Sequence, residues 1–133
     1  MEKMGEALGW IAAVCYFVSV ANFFVKRVFR AGIAGLPKDS AFKRGYQLFM
    51  KLIVKYHRYF GMAAGVFALV HLCWQIVSVR VSYSGVLAAA IMAVTAILGI
   101  FIAYRRKGGL TGIHRPMAMA VLAVVLFHMI TKI

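Results

Sequence analysis

Acidic residues are nearly missing from this 133-residue chain: Glu2, Glu6 and Asp39 are all it has, against sixteen Lys and Arg. That scarcity nearly excludes paired-carboxylate catalysis, Mg2+ or Ca2+ cages and acidic metal clusters. Cysteine occurs twice, and Cys15 and Cys73 stand alone, without C-x-x-C or Cys–His spacing. They read as buried free thiols rather than ligands or a disulfide. No dinucleotide-binding or P-loop glycine pattern is present, and a nucleotide domain would not fit beside the apolar segments. Proline is limited to Pro37 and Pro116.

Apolar residue is what the chain has in quantity, at 64% with a mean hydropathy of +0.87. Soluble domains run near 45–50%. Four stretches, 7–25, 57–79, 84–104 and 113–131, are each long enough to cross ~30 Å of hydrocarbon as a helix. Their apolar residues wrap all faces, as lipid-exposed helices require. The first reads as a span rather than a cleaved leader, being too long and too acidic at its start. The expectation is an all-α integral membrane protein, a single four-helix transmembrane bundle occupying 1–133.

The +13 net charge does not point to nucleic acid, because thirteen of the sixteen cations fall in two loop regions, 26–56 and 105–112, and at Arg58 and Arg115 beside them. Lys3, Arg80 and Lys132 lie at the opposite ends of the spans. The positive-inside rule puts both basic loops in the cytoplasm and both termini outside, and anionic membrane lipid is a natural partner for them. Trp10, Trp74 and Tyr83 fall where outer belt aromatics belong. Within the first loop, Gly32, Gly35 and Pro37 break the chain, and Asp39 or Ser40 can cap a new helix. Phe42, Tyr46, Phe49, Met50 and Ile53 follow helical spacing beside a basic stripe of Arg44, Lys51, Lys55 and Arg58. An interfacial amphipathic helix before the second span, or a cytoplasmic extension of that span, is expected there; it would anchor the chain or dock a soluble donor or partner subunit.

All four histidines fit one repeat. The segment HRYFGMAAGVFALVH begins at His57 and ends at His71; HRPMAMAVLAVVLFH begins at His114 and ends at His128. The step along the chain from His57 to His114 equals that from His71 to His128. The chain therefore reads as two repeated helix hairpins whose second helices each carry two His. The two His of a helix are four turns apart in a supercoiled bundle, so both share one face, ~21 Å apart along the axis. The second and fourth spans run in the same direction, which pairs His57 with His114 at the cytoplasmic depth and His71 with His128 at the outer depth. Two facing His at each of two levels suit two bis-His b hemes, with the four His as axial ligands of the irons. Zinc or copper fits less well, with no thiolate or carboxylate in register. A proton relay lacks an intramembrane carboxylate. The positions between the ligands are small, Gly61, Ala64 and Ala68 on one helix and Ala118, Val121 and Val125 on the other, as a flat macrocycle needs; ordinary small-residue helix packing is the competing explanation. Arg58 and Arg115 are candidates to pair with inner-heme propionates. Gln75 is a candidate for an outer propionate or a quinone. Ser19, Asn22 and Thr95 are candidate partners for the ligand N–H groups. Thr111 can cap a helix that tolerates Pro116 in its first turn.

With these residues, the chain resembles the heme-bearing four-helix bundle of the cytochrome b of quinol–cytochrome c oxidoreductases. Its HRYFG start and far His also resemble the ferric reductase-like transmembrane domain shared with NADPH oxidases. The resemblance covers two stretches of about fifteen residues plus helix order. It implies a dihaem membrane cytochrome in which His57, His71, His114 and His128 ligate two b hemes that pass electrons across the bilayer. The flavin and nicotinamide domain of the reductases, and the later helices and quinol loop of cytochrome b, have no counterpart here. The expectation is therefore an electron-conducting subunit of a respiratory-type complex in a bacterial or archaeal plasma membrane. It would work with partner redox subunits, soluble electron carriers or quinone. Two alternatives remain open: a small oxidoreductase acting at a heme edge on quinone, ferric chelate or superoxide, and a cofactor-free structural subunit of a membrane complex.

Overall fold

A computed structural model describes residues 2–78, 81–105 and 108–131. The first helix, α1 (Glu2–Val28), continues through a π-helical turn at Phe29–Ile33, closed by the Ala34 N–H donating to the Phe29 carbonyl at 2.8 Å. It is followed by α2 (Ala41–Ser78), α3 (Tyr83–Arg105), a 3-10 turn at Gly108–Leu110 and α4 (Thr111–Thr131). Each of the four helices is long and apolar enough to cross a membrane. No strand occurs among the described residues. Expectations that involve Val79, Arg80, Arg106, Lys107 and Lys132 lie outside those residues.

Helix starts follow local chemistry. The Ser40 side chain accepts from the Lys43 N–H at 3.4 Å ahead of α2, and the Ser82 side chain accepts from the Gly85 N–H at 3.2 Å ahead of α3. Both are N-cap arrangements that satisfy donors left open by the first turn. Pro116 falls in the second turn of α4 rather than the first, because the helix already begins at Thr111. There its missing N–H forfeits a bond to the Gly112 carbonyl.

The amphipathic segment ahead of the second span is not a separate helix lying flat. It is the start of α2, which runs unbroken for 38 residues, a length of about 57 Å. No proline interrupts it, and α1 supplies a partner along its inner part. The Tyr46 hydroxyl donates to the Val25 carbonyl at 3.0 Å, and the Tyr46 ring stacks on Phe29 with centroids 6.2 Å apart. Lys43 Nζ donates to the Ala34 and Leu36 carbonyls at 2.8 and 2.7 Å, satisfying acceptors at the end of the π-turn.

The α1 helix packs along α2, and α3 along α4, with lighter contact between α2 and α3 and between α1 and α4. The core lies at mid-height: Tyr16, Val20, Ala64, Ala88, Met92, Val121 and Val125. Ala64 and Val121, each midway between the two His of its helix, are both completely buried. The Tyr16 hydroxyl donates to the Ala118 carbonyl and so ties α1 to α4. Cys15 is half-buried, whereas Cys73 is exposed; the expectation of two buried thiols holds for neither fully. Cys73 lies on the outward face of α2, where no helix of the bundle covers it.

Candidate functional site

Each histidine is anchored by the preceding helix. His71 Nδ1 lies 2.8 Å from the Gly5 carbonyl, His57 Nδ1 2.8 Å from the Ser19 carbonyl, and His114 Nδ1 3.1 Å from the Thr95 carbonyl. A carbonyl can only accept, so in these three rings Nδ1 is the donor and Nε2 is left with a free lone pair. That is the tautomer that a metal-ligating histidine takes when its other nitrogen is held by the protein. His128 differs. Its Nδ1 lies 3.0 Å from the Ser84 hydroxyl and 3.4 Å from the Ser82 hydroxyl, groups that can serve as donor or acceptor.

Glycines face three of the rings. A Cβ at Gly9 would come within 3.1 Å of the His71 ring, one at Gly85 within 3.1 Å of His128, and one at Gly99 within 3.1 Å of His114. The fourth, His57, has Ser19, whose hydroxyl is 3.0 Å from Nδ1 and 3.2 Å from where a Gly61 Cβ would stand. The anchoring positions on α1 and α3 keep a spacing of their own. The step from Ser19 to Thr95 equals that from Gly9 to Gly85. It is longer than the step between the histidines they serve, and the difference is extra chain between α1 and α2.

His71 and His128 line a common cavity of about 420 Å³, with Gly9, Ala68, Gln75 and Gly85 also on its walls. That volume falls within the usual range for a small-molecule or cofactor pocket. At the other level, His57 and His114 lie within electrostatic range of one another, and Lys26 stands in the same relation to Arg115. Among the described residues no three His, Cys, Asp or Glu side chains gather at one place. The histidines come in twos.

The small residues expected to form a groove are divided between two roles. Ala68 lines the cavity of His71 and His128, while Ala64 is sealed in the core between the levels. Gly61 lies against Ser19, and Ala118 receives the Tyr16 hydroxyl on its carbonyl. Arg58 and Arg115 are exposed. Of the expected anchors, Ser19 meets His57 directly. Thr95 meets His114 through its carbonyl, its hydroxyl being bonded to the Ile91 carbonyl at 2.7 Å. Asn22 reaches no histidine, and its Oδ1 is buried with no hydrogen-bond partner. Sequence reasoning missed Gly5, Gly9, Gly85, Gly99, Ser82 and Ser84. Gly9 and Gly85 keep the same offset as Ser19 and Thr95, but that relation emerges only once the faces opposite the histidines are known.

The donor set fits a planar group held between two imidazoles. Each level supplies two histidines, three of the four present a free Nε2, and the facing glycines let three of the rings pack close against the preceding helix. This chain matches no family model, no curated protein and no solved structure.

Proposed function

We propose that this protein is a dihaem b-type membrane cytochrome that conducts electrons across the bilayer. His57 and His114 would hold the inner heme, and His71 and His128 the outer. The observation that carries the reading is the common treatment of the rings: each Nδ1 is tied to the preceding helix, in twos, at two heights ~21 Å apart. A structural histidine in a bundle needs a partner, but four in one register with the same nitrogen anchored call for something at the other nitrogen.

A heme ligated on both axial sides supplies one-electron transfer at an iron with no open position for oxygen. The chain's own residues do the rest. The carbonyls of Gly5, Ser19 and Thr95 fix ring orientation and raise the basicity of Nε2. The sealed layer of Ala64 and Val121 keeps the two levels apart in a dry interior. Arg58 and Arg115 stand beside the inner ligands, where their guanidinium groups suit propionates.

The matching offsets, one among the histidines and one among their anchors, support two repeated hairpins, α1–α2 and α3–α4, each holding its own two histidines. The basic connections support a cytoplasmic inner level and outward-facing termini. Partner redox proteins or quinone would deliver and remove the electrons.

Reconstitution tests the activity. The purified protein is placed in liposomes enclosing ferricyanide, with a membrane-impermeant reductant outside. Rapid internal reduction is expected, and His57→Ala and His71→Ala should each abolish it. Equal rates in protein-free vesicles, or no loss in either variant, would overturn the proposal.

A further inference from the structure

Lys26 on α1 and Arg115 on α4 stand within electrostatic range of one another, and Arg30 is in range of Lys26 as well. The helices bring the first two together from opposite directions. The bond from the Tyr16 hydroxyl to the Ala118 carbonyl fixes the height of α1 against α4. From that bond Lys26 lies ~15 Å, and Arg115 ~4.5 Å, toward the same end of the bundle. Side chains lean toward the N-terminus of their own helix. The two helices are antiparallel, so Lys26 leans back along α1 while Arg115 leans the opposite way, and the remaining ~10 Å closes. The Arg30 Nε donates to the Lys26 carbonyl at 3.3 Å, which holds a third cation one turn further along α1.

The acids of the chain lie elsewhere. Glu6 lines the cavity of His71 and His128, and Glu2 lies one turn beyond it at the start of α1. Asp39 precedes the start of α2 at Ala41. Ser19 is level with His57, which it meets, and this puts the start of α2 ~13 Å deeper along the axis than Lys26. Lys26 is half-buried. Like charges gathered at a partly dry seam cost free energy, and a bound anion offsets that cost. Asn22 adds an independent sign. It lies one turn before Lys26 on the same side of α1, and its buried Oδ1 has no hydrogen-bond partner among the described residues. An ammonium carries three donors, so Lys26 can serve the Asn22 Oδ1 and an anion together. The charge-free stretch of α1 ends at Val25, and that of α4 begins after Arg115. The seam therefore stands at the edge of the hydrocarbon and not within it.

We infer that Lys26, Arg115 and Asn22 form an anion site at the seam of α1 and α4, which takes the oxygens of a carboxylate or phosphate group. Arg115 supplies paired N–H donors to two oxygens, and Lys26 supplies a further donor and charge. Asn22 accepts from the ammonium and so orients it. Two sources carry this chemistry at this place: the propionates of a heme between His57 and His114, and the phosphate of an anionic lipid. Arg58, on α2, is not among the charges that act on Lys26, so the partner of Arg115 in this site is Lys26. The heme source rests on the cytochrome reading; the lipid source does not.

The test uses the full chain purified in neutral detergent, as wild type, Lys26→Met, Lys26→Arg and Arg115→Gln. Lys26→Met keeps the length of the stem and removes the charge. Lys55→Gln, exposed on α2, controls for charge removal elsewhere. Heme transfer to apomyoglobin measures the hold on heme. Native mass spectrometry, titrated with phosphatidylglycerol against phosphatidylcholine, measures the hold on anionic lipid. Lys26→Met and Arg115→Gln should each weaken one of these by about tenfold or more, the loss of one charge-assisted bond. Lys26→Arg and Lys55→Gln should match wild type. Faster loss of one heme of the two names propionates as the source, and weaker phosphatidylglycerol binding names the lipid phosphate. No change of either kind in Lys26→Met, or the same change in Lys55→Gln, would overturn the inference. A purified chain without heme sinks the cytochrome reading alone, and the lipid titration then decides the site.

Discussion

The hairpin α1–α2 and the hairpin α3–α4 hold two histidines each at the same helical spacing, but they anchor them with different chemistry and end at different depths. In the first, both Nδ1 atoms lie against main-chain carbonyls, of Gly5 and Ser19. In the second, His114 uses the Thr95 carbonyl, while His128 lies against the hydroxyls of Ser84 and Ser82. A carbonyl anchor survives any side-chain substitution at its own position; a hydroxyl anchor does not. The first hairpin also carries a longer connection between its helices, and that added chain holds no histidine. The shared features are the ones the proposed heme sites need, and the differing ones set the two hairpins apart.

The largest effect expected is on the histidines themselves. If the hairpins are equivalent holders, His71→Ala and His128→Ala each lower heme from two to one per chain, and His57→Ala and His114→Ala do the same at the inner level. Loss confined to one hairpin would break the equivalence. Next comes the anchor chemistry. Ser84→Ala should weaken heme retention at the outer level by about 10–100-fold, the usual cost of losing a ligand's supporting hydrogen bond. Ser19→Ala should change inner retention little, because the Ser19 carbonyl remains; heme transfer to apomyoglobin measures both.

A smaller effect separates the facing glycines from those elsewhere. Gly9→Ala and Gly99→Ala place a methyl 3.1 Å from a His ring, and the neighbouring ring must shift. About 1–3 kcal/mol of destabilisation is expected. Gly65→Ala meets nothing within 4 Å. It should be neutral or stabilising by up to about 1 kcal/mol. Thermal unfolding in detergent distinguishes the two sets. The smallest expected effect concerns the link between hairpins. Tyr16→Phe removes the bond from α1 to the Ala118 carbonyl. It should cost about 1 kcal/mol, visible as a lowered Tm with heme content unchanged.

The four spans were legible from the length and apolarity of their runs, and the histidine register from its repeat; neither needs knowledge of packing. Ser19 and Thr95 were found because polar residues in an apolar run stand out. Gly9, Gly85 and Gly99 were not, because a glycine in a membrane helix carries no signal until the face opposite it is known, and Gly9 meets the ring of His71 on a different helix. The unbroken α2 was also hidden. Its inner half is amphipathic and its outer half apolar all round, so the pattern changes at the boundary while the helix does not. Tyr46 ties the amphipathic half to α1, and Lys43 ties it to the Ala34 carbonyl just past the π-turn. Pro116 in the second turn of α4 shows the same limit: a small difference in where a helix starts moves a proline from a tolerated position to a costly one.

The central claim is that two levels of paired histidine hold two b hemes. Quantitative pyridine hemochrome analysis of the purified chain, set against its protein concentration, tests it most directly. The account predicts two hemes b per chain. Zero or one would contradict it.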